Sequence, residues 1–547
     1  MTLSLLPTSI RLCRAARRHF GWRTLRTGQL AAMRAVLKGR DALVVLPTGH
    51  GKSAVYQVPA TLLPGPTVVI SPLLALQTDQ IAGLSERGDA RLAAVRVSSM
   101  ETPGQQRAAL AALADGTARF LFITPEQLGQ PDRLAEVRAL RPSLVAVDEA
   151  HCVSAWGHDF RPDYLQLGQL VRELGRPPVV ALTATASPPV REDIAARLKL
   201  RDPKLVIAGL DRPNLYLEAV RCVTEEDRWK RLIARLRAGE PPGIVYASTR
   251  RAAEDLAERL GGEGIAAQAY HGGMAAGERT RRHEAFLSDE IPVMVATSAF
   301  GMGIDKPNVR WVVHVALPDS PDSYLQEIGR AGRDGAPARA LLLYRAEDVA
   351  LQRFFVGGTP DRAELDRVTR ALRDGPARKT DIAADLGIGT RRLTQDLALL
   401  ERVGAAVTLN NGRVTAPRYT PPPDEAVTLA LKEIRRHQTV QKSRIEMMLQ
   451  FAQASGCRGQ YLLAYFGEHL ARPCGHCDNC RVGAIPAARR SAENLPYPVH
   501  STVNHPEWGA GLVLRYEQDR MIVLFDDVGY KTLSVPVVVR QGLLTPA

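Results

Sequence analysis

Ala42-Leu43-Val44-Val45-Leu46-Pro47-Thr48-Gly49-His50-Gly51-Lys52-Ser53 joins an uninterrupted apolar run to a glycine-rich turn and then to a helical stretch. An apolar run without alternation predicts a strand buried on both faces, as in a parallel sheet covered by helices. Glycines let backbone N–H groups close around phosphates, and a helix starting there favours negative charge at its first turn. On this reading Thr48, Gly49 and Gly51 shape a phosphate cradle, Lys52 reaches the β- and γ-phosphates of ATP, and Ser53 ligates magnesium. The bland alternative is a glycine-rich turn with no ligand.

Working outward, similar runs recur at Thr67-Val68-Val69-Ile70, Phe120-Leu121-Phe122-Ile123, Leu144-Val145-Ala146-Val147 and Val179-Val180-Ala181-Leu182. The fourth run ends on Asp148-Glu149-Ala150-His151. A carboxylate at the C-terminal end of a buried strand can hold magnesium, and its neighbour can polarise an attacking water. Asp148 and Glu149 take those roles, and together with the glycine-rich turn they displace the bland reading. The strand pattern restarts at Gly243-Ile244-Val245-Tyr246 and continues through Val293-Met294-Val295-Ala296 and Trp311-Val312-Val313-His314-Val315. Leu210-Asp211-Arg212-Pro213-Asn214 marks the junction, so two tandem α/β lobes with a cleft between them are expected.

The 547 residues allow about three to four domains of roughly 100–200 residues each. With 45% hydrophobic and 24% charged residues the chain can bury several cores. A formal charge of +13, from 71 Lys and Arg against 58 Asp and Glu, favours polyanionic partners through phosphate neutralisation. No apolar run is long enough to span a bilayer, so no membrane association is expected. The basic segment 1–20 lacks the apolar region and cleavage site of a secretory signal and reads as a first helix of the motor. Four of seven cysteines crowd into residues 457–480, which is metal-ligand usage suited to a reducing cytoplasm.

Beyond residue 358 the character changes. Residues 361–416 read as three helices, at 363–372, 379–386 and 390–403, with a hairpin turning at Asn410-Asn411-Gly412. Leu393, Leu397 and Leu400 share one face of the third helix, which leaves Arg391, Arg392 and Gln395 able to point outward toward DNA. Cys457 with Cys474-Gly475-His476-Cys477-Asp478-Asn479-Cys480 offers four thiolates for tetrahedral zinc; His476 could compete as a ligand, but a four-cysteine site is the better reading.

Several stretches resemble the RecQ family of DNA helicases. Phe20-Gly21-Trp22-Arg23-Thr24-Leu25-Arg26-Thr27-Gly28-Gln29 is similar to the family's adenine-reading motif, with Thr27 in place of its usual proline. The resemblance implies that Trp22 stacks on adenine, that Gln29 bonds its edge, and that Arg26 and Gln326 belong to the nucleotide site. His151-Cys152-Val153-Ser154-Ala155-Trp156-Gly157-His158-Asp159-Phe160-Arg161-Pro162 resembles the aromatic-rich loop, whose Trp156, Phe160 and Arg161 would meet DNA bases and backbone. Thr183-Ala184-Thr185, Tyr246-Ala247-Ser248-Thr249-Arg250 and residues 296–305 resemble further helicase motifs. Gln326-Glu327-Ile328-Gly329-Arg330-Ala331-Gly332-Arg333-Asp334-Gly335 places two arginines one helical turn apart, with Arg333 first and Arg330 second as the γ-phosphate finger. Arg458 and Tyr465-Phe466-Gly467-Glu468 match the family's zinc module. One departure is the order: the winged-helix-like unit precedes the cysteines here and follows them in most of the family.

The expected architecture is two RecA-like lobes (1–209 and 210–358), a winged-helix-like α+β unit (359–420), a helical zinc module (424–482), a linker (483–495) and a small barrel (496–547). For the barrel, five strands are expected at residues 501–503, 511–514, 521–525, 531–533 and 535–538, resembling the Tudor-like barrel of UvrD-type helicases. That resemblance implies contact with RNA polymerase or duplex DNA near Trp508 and Tyr530; a stability cap is the bland alternative. The function implied is ATP-dependent 3′-to-5′ translocation on single-stranded DNA with duplex unwinding in repair or recombination. Mg²⁺ and Zn²⁺ are the implied ions, and the location is the cytoplasm beside the nucleoid. The competing readings are an RNA helicase and a remodeller recruited to transcription complexes.

Overall fold

The computed structural model describes residues 7–547 except 27, 48, 73, 155–163, 165, 208, 301–305, 410, 411, 469, 484–494, 500 and 518. The chain forms two compact units, Met1–Ala350 with Ile445–Arg490, and Leu351–Arg444 with Ser491–Ala547. No described helix is long and apolar enough to cross a membrane.

The first unit contains two parallel sheets. Strands β1 (Ala42–Val45), β2 (Thr67–Ile70), β3 (Ala94–Val97), β4 (Phe120–Ile123), β5 (Leu144–Val147), β6 (Val179–Thr183) and β7 (Lys204–Ile207) form the first, in the order β3-β4-β2-β5-β6-β1-β7. Strands β8 (Leu215–Arg221), β9 (Gly243–Tyr246), β10 (Ala267–Tyr270), β11 (Val293–Ala296), β12 (Trp311–His314) and β13 (Ala338–Tyr344) form the second, in the order β10-β11-β9-β12-β13-β8. Each expected apolar run is a strand, and the central ones are buried along their whole length. Parallel pairing requires a crossover between neighbours, and helices supply it on both faces. The order β5-β6-β1 matters for function, because it sets the glycine-rich turn after β1 and Asp148 after β5 on the same sheet edge, one strand apart.

The 1–20 segment does carry a helix, Thr8–Phe20, burying Leu12, Ala15, Ala16 and Phe20. Gly21 ends it at φ 72, a left-handed turn that glycine adopts without a Cβ penalty, and the Trp22 N–H returns to the Ala16 carbonyl at 3.2 Å.

In the second unit, helices Arg362–Ala371, Lys379–Leu386 and Thr390–Arg402 share a core of Leu365, Val368, Ile382, Leu393, Leu397 and Leu400. Short strands β14 (Ala377–Arg378), β15 (Val407–Thr408) and β16 (Arg413–Thr415) form an antiparallel sheet in the order β14-β16-β15. Asn410 and Asn411 lie outside the described residues. Toward the C-terminus, β17 (Thr502–His505), β18 (Gly509–Glu517), β19 (Arg520–Phe525), β20 (Gly529–Ser534) and β21 (Thr545–Pro546) form an antiparallel sheet in the order β20-β19-β18-β17-β21.

The expected fifth strand at 535–538 is instead the start of a helix, Val535–Gln541. Its valines favour strand by propensity, but Pro536 cannot donate to a ladder and suits a first helical turn, and Gly542 closes the helix at φ 59. Val535 and Val538 are buried at the i, i+3 spacing of one helical face, while Val537 and Val539 are exposed. Tyr530, near which the contact surface of the barrel is expected, is itself buried, and its N–H donates to Ser443 Oγ on helix Pro423–Gln453 at 3.1 Å.

Close packing in the second sheet gives a test. A Cβ on Gly243 would lie 2.1 Å from the Trp311 ring, which is buried to 1% exposure. Gly243→Ala should lower unfolding stability by about 1–3 kcal/mol through forced overpacking. Thermal unfolding that matches the parent chain would show that the sheet accommodates the methyl group.

Candidate nucleotide and metal sites

The turn after β1 is tied down by its own backbone contacts. The Leu46 N–H donates to the Thr183 carbonyl at 3.1 Å, and Gly49 and Gly51 take φ values of 79 and 70. A side chain at Gly51 would collide with Gln29 Nε2, 2.9 Å from its Cβ position. Lys52 and Ser53 are half-buried, and Ser53 leads into helix Ala54–Ala60. Thr48 lies outside the described residues.

Asp148 follows β5 with 4% exposure. Its Oδ2 accepts from Gln80 Nε2 at 3.1 Å and its Oδ1 from the Glu149 N–H at 2.9 Å. Burial pushes its pKa up, Glu149 adds to that, and the Lys52 charge opposes it. Glu149 adopts a left-handed backbone, φ 47 and ψ 47, which a non-glycine residue holds only when its surroundings enforce it. Its Oε2 is 3.3 Å from His151 Nδ1, which in turn is 3.0 Å from Thr183 Oγ1. Burial disfavours the imidazolium, but Cys152 and Glu149 outweigh it and push the His151 pKa up to about 10. Thr183 Oγ1 donates to the Thr185 carbonyl at 2.9 Å, so the Glu149 carboxylate is linked to the Thr183-Ala184-Thr185 segment by one imidazole.

Trp22 stacks on Phe20 with ring centroids 4.6 Å apart, and the Arg87 guanidinium sits 5.5 Å from the Trp22 centroid. Gln29 is buried; its Nε2 donates to the His50 and Gly51 carbonyls at 2.9 and 3.0 Å, and its Oε1 accepts from the Arg26 N–H at 2.8 Å. Arg26 Nη1 donates to the Gly49 carbonyl at 2.9 Å. Both residues therefore brace the phosphate turn from its carbonyl side.

From the second sheet, helix Pro321–Ile328 leads into the two arginines. The Arg333 stem covers the turn: Gly49, given a Cβ, would stand 3.3 Å from Arg333 Cγ. Arg330 is buried to 3% exposure beside Tyr246, whose hydroxyl donates to the Phe300 carbonyl at 2.9 Å. The geometry thus separates the pair, with Arg333 at the phosphate turn and Arg330 within the second sheet's core. Gln326 is half-buried on the same helix. A cleft of about 250 Å³ is lined by Arg26, Gly49, His50, Arg212, Asn214 and Arg333.

The four cysteine sulfurs of Cys457, Cys474, Cys477 and Cys480 lie within 4.8 Å of one another. Cys457 Sγ accepts from the Cys474 N–H at 3.1 Å and the Gln460 N–H at 3.4 Å, and Cys477 Sγ from the Cys480 N–H at 3.4 Å. Such N–H···S bonds favour thiolates. Hydrogen bonding from Cys457 and Cys474 pulls the Cys477 pKa far down, while the same cluster pushes Cys474 up and burial pushes Cys480 up to about 11. Four sulfurs this close need a cation to ionise together, and a four-thiolate set suits tetrahedral zinc. His476 points elsewhere: its Nδ1 donates to the Leu215 carbonyl at 2.9 Å, and its Nε2 lies 3.2 Å from Asp211 Oδ1.

Among the expected DNA contacts, Trp156, Phe160 and Arg161 lie outside the described residues. Arg391 is exposed. Arg392 is held by Glu364 at 2.7 Å and lies 3.8 Å from the buried Asp396. Sequence reading overlooked Gln80, Arg212 and Asn214. Arg212 and Asn214 lie in a stretch recognised only as a junction, and the spacing of Gln77 and Gln80 on helix Leu74–Ser85 was the one signal for Gln80.

Comparisons with known proteins agree with this arrangement. The DEAD/DEAH box helicase model matches residues 26–194, the helicase conserved C-terminal domain residues 226–335, and the RecQ zinc-binding model residues 426–481. The chain is 34% identical over 470 residues to the probable ATP-dependent DNA helicase RecS of Bacillus subtilis, covering 84% of this chain and 90% of that one. It is 34% identical over 493 residues to the ATP-dependent DNA helicase RecQ of Synechocystis, covering 86% and 98%. Against RecQ of Pasteurella multocida the identity is 35% over 461 residues, with 84% of this chain and 61% of that one covered. The DUF1998 helicase MrfA, solved bound to DNA and AMPPNP, shares the fold at 19% identity and a TM-score of 0.50 over 78% of this chain and 64% of that one. With a four-thiolate site behind two ATPase lobes and relatives matched along nearly their whole length, the chain belongs to the RecQ family of ATP-dependent DNA helicases.

Proposed function

We propose that the chain translocates 3′ to 5′ on single-stranded DNA and separates duplex DNA in repair or recombination. The observation that carries the motor chemistry is the meeting of Lys52, Asp148 and Glu149 on one sheet edge with Arg333 laid over Gly49. Lys52 binds the β- and γ-phosphates. Ser53 and Asp148 would hold magnesium, which would neutralise phosphate charge during transfer. Glu149 takes the proton side of the attacking water, with His151 fixing its carboxylate. Arg333 acts as the finger for charge that develops on the γ-phosphate, with Arg330 in a supporting place. Trp22 offers the adenine one ring face, its other face being taken by Phe20.

For DNA, the reading assigns stacking to Trp156 and Phe160 with Arg161, and backbone contact to Arg391 and Arg392. The order helix, strand, helix, helix, strand, strand over residues 362–415 supports a winged helix. The five antiparallel strands after residue 501 support a small barrel, and the buried Tyr530 favours a bracing role on helix Pro423–Gln453 over recruitment of RNA polymerase or another protein.

Unwinding of paired DNA and RNA duplexes with 3′ or 5′ tails tests the proposal. ATP-dependent displacement from the 3′-tailed DNA is expected, with little from the 5′-tailed DNA or from RNA. ATP hydrolysis stimulated by DNA with no displacement would favour the remodeller instead.

Two substitutions probe the ATP site. Lys52→Ala or Glu149→Gln should reduce hydrolysis by about 10³-fold or more while DNA binding stays within a few-fold, as measured by steady-state turnover and fluorescence anisotropy. Hydrolysis near the parent rate in either variant would remove these residues from the chemistry.

Cys477→Ser should lower zinc content below one ion per chain and destabilise the first unit, because metal-binding free energy in such a module is folding free energy. Metal analysis together with thermal unfolding reads this out, and unchanged stability after zinc loss would contradict it.

A further inference from the structure

Arg333 owes its place to the turn that carries it. Gly332, the residue before it, sits at φ 61. A Cβ there would lie 2.6 Å from Asn214 Nδ2 and 2.9 Å from the Ala336 carbonyl oxygen. Asn214 belongs to the segment between β7 and β8, the sole covalent link between the two sheets. Its Nδ2 donates to the carbonyls of Gly332 and Ala336 at 2.8 and 2.9 Å, closing both ends of the turn with one amide. Arg212 Nη2 donates to the carbonyls of Ala331 and Gly332 at 3.0 and 2.8 Å, and Arg212 Nε donates to Asn214 Oδ1 at 3.3 Å.

The same segment is anchored at its other points. A Cβ on Gly209 would lie 3.1 Å from the His50 ring, so the segment passes directly beside the phosphate turn. His476 holds it from the cysteine module through Asp211 Oδ1 and the Leu215 carbonyl. Four hydrogen bonds thus join the segment to backbone oxygens around Arg333, a fifth ties Arg212 to Asn214, and none of them involves the Arg333 guanidinium.

We propose that Asn214 and Arg212 are positioning residues for Arg333. By gripping the carbonyls of 331, 332 and 336 they fix the direction in which the arginine leaves the turn, and so its distance from Gly49. This rests on the reading of Arg333 as the finger for the γ-phosphate. A side chain that acts only in the transition state is sensitive to small displacements, so loosening its turn should reduce turnover with little change in nucleotide affinity.

The test is DNA-stimulated ATP hydrolysis by the full-length, zinc-containing protein. Asn214→Ala should lower kcat about tenfold and leave the KM for ATP within about twofold. In an Arg333→Ala background the same change should alter kcat by less than about twofold, because the positioned group is gone. A purely structural role would act equally in both backgrounds, so a full tenfold loss on top of Arg333→Ala would overturn the proposal. A normal kcat for Asn214→Ala beside a defective Arg333→Ala would overturn the positioning alone, whereas a normal kcat for Arg333→Ala would overturn the finger and the positioning together. Arg212→Lys, which keeps the charge but loses the guanidinium that bonds two carbonyls through Nη2 and Asn214 through Nε, carries the same cycle if Asn214→Ala does not fold.

Discussion

Asp148 is a carboxylate held out of water at the end of a strand, and its ionised form is tolerated there only while cations face it. Burial and the neighbouring Glu149 both press toward the neutral acid, and Lys52 presses the other way. Two neutral donors, the Gln80 amide and the Glu149 N–H, occupy the remaining lone pairs without settling the charge. The strand order β5-β6-β1 is what brings Lys52 within reach, because the intervening β6 fixes the lateral spacing of the two strand ends. ATP would add further negative charge to this edge. The proposed magnesium and Arg333 would add positive charge facing Asp148 and the phosphates at this edge.

The intervening strand does more than set a spacing. Thr183, its last residue, receives the Leu46 N–H on one side and meets His151 on the other. One threonine therefore touches the glycine-rich turn and the Asp148–His151 motif at once. Glu149 is held in a left-handed conformation at the same place, and its side chain is steered by His151. Backbone strain of this kind persists only where surrounding contacts over-determine it. A continuous chain of hydrogen bonds thus runs from Leu46 at the glycine-rich turn through Thr183 to Thr185.

Legibility in the sequence followed how each residue is buried. Strands β1, β2, β4, β5, β6, β9, β11 and β12 were legible because both faces are covered and nearly every position is apolar. Strands β3, β7, β8 and β10 at the sheet ends, and β13 beside β8, went unnoticed because Arg96, Lys204, Glu218, Gln268 and Arg339 interrupt their runs. The 535–538 run misled because β-branched propensity spoke louder than Pro536 and the i, i+3 burial that decide for helix. Within the site, residues whose chemistry is their own, such as Lys52, Asp148 and the cysteines, were legible from type and spacing. Gln80, Arg212 and Asn214 were not, since their partners are a distant carboxylate and backbone carbonyls; the Asn214 contact to Gly332 spans 118 residues. Gln29 was legible as a residue, but not in the brace it makes with the carbonyls of His50 and Gly51.

The cysteine module solves a problem that the second sheet creates. β8 ends that sheet, and an end strand presents unpaired backbone groups that invite aberrant pairing. In a parallel strand alternate residues point their N–H groups outward, and here those of Leu217 and Ala219 are both taken. Leu217 donates to the His476 carbonyl at 3.0 Å and Ala219 to Asp478 Oδ2 at 3.1 Å, with a parallel bridge between Leu217 and Cys477. Asp478 is in turn gripped by the buried Arg458 at 2.6 Å. The segment that supplies these acceptors is short, and its conformation depends on the cysteines at 474, 477 and 480 converging. Zinc held by those thiolates would therefore brace the end strand of the second lobe through the backbone and side chains of residues 476–478.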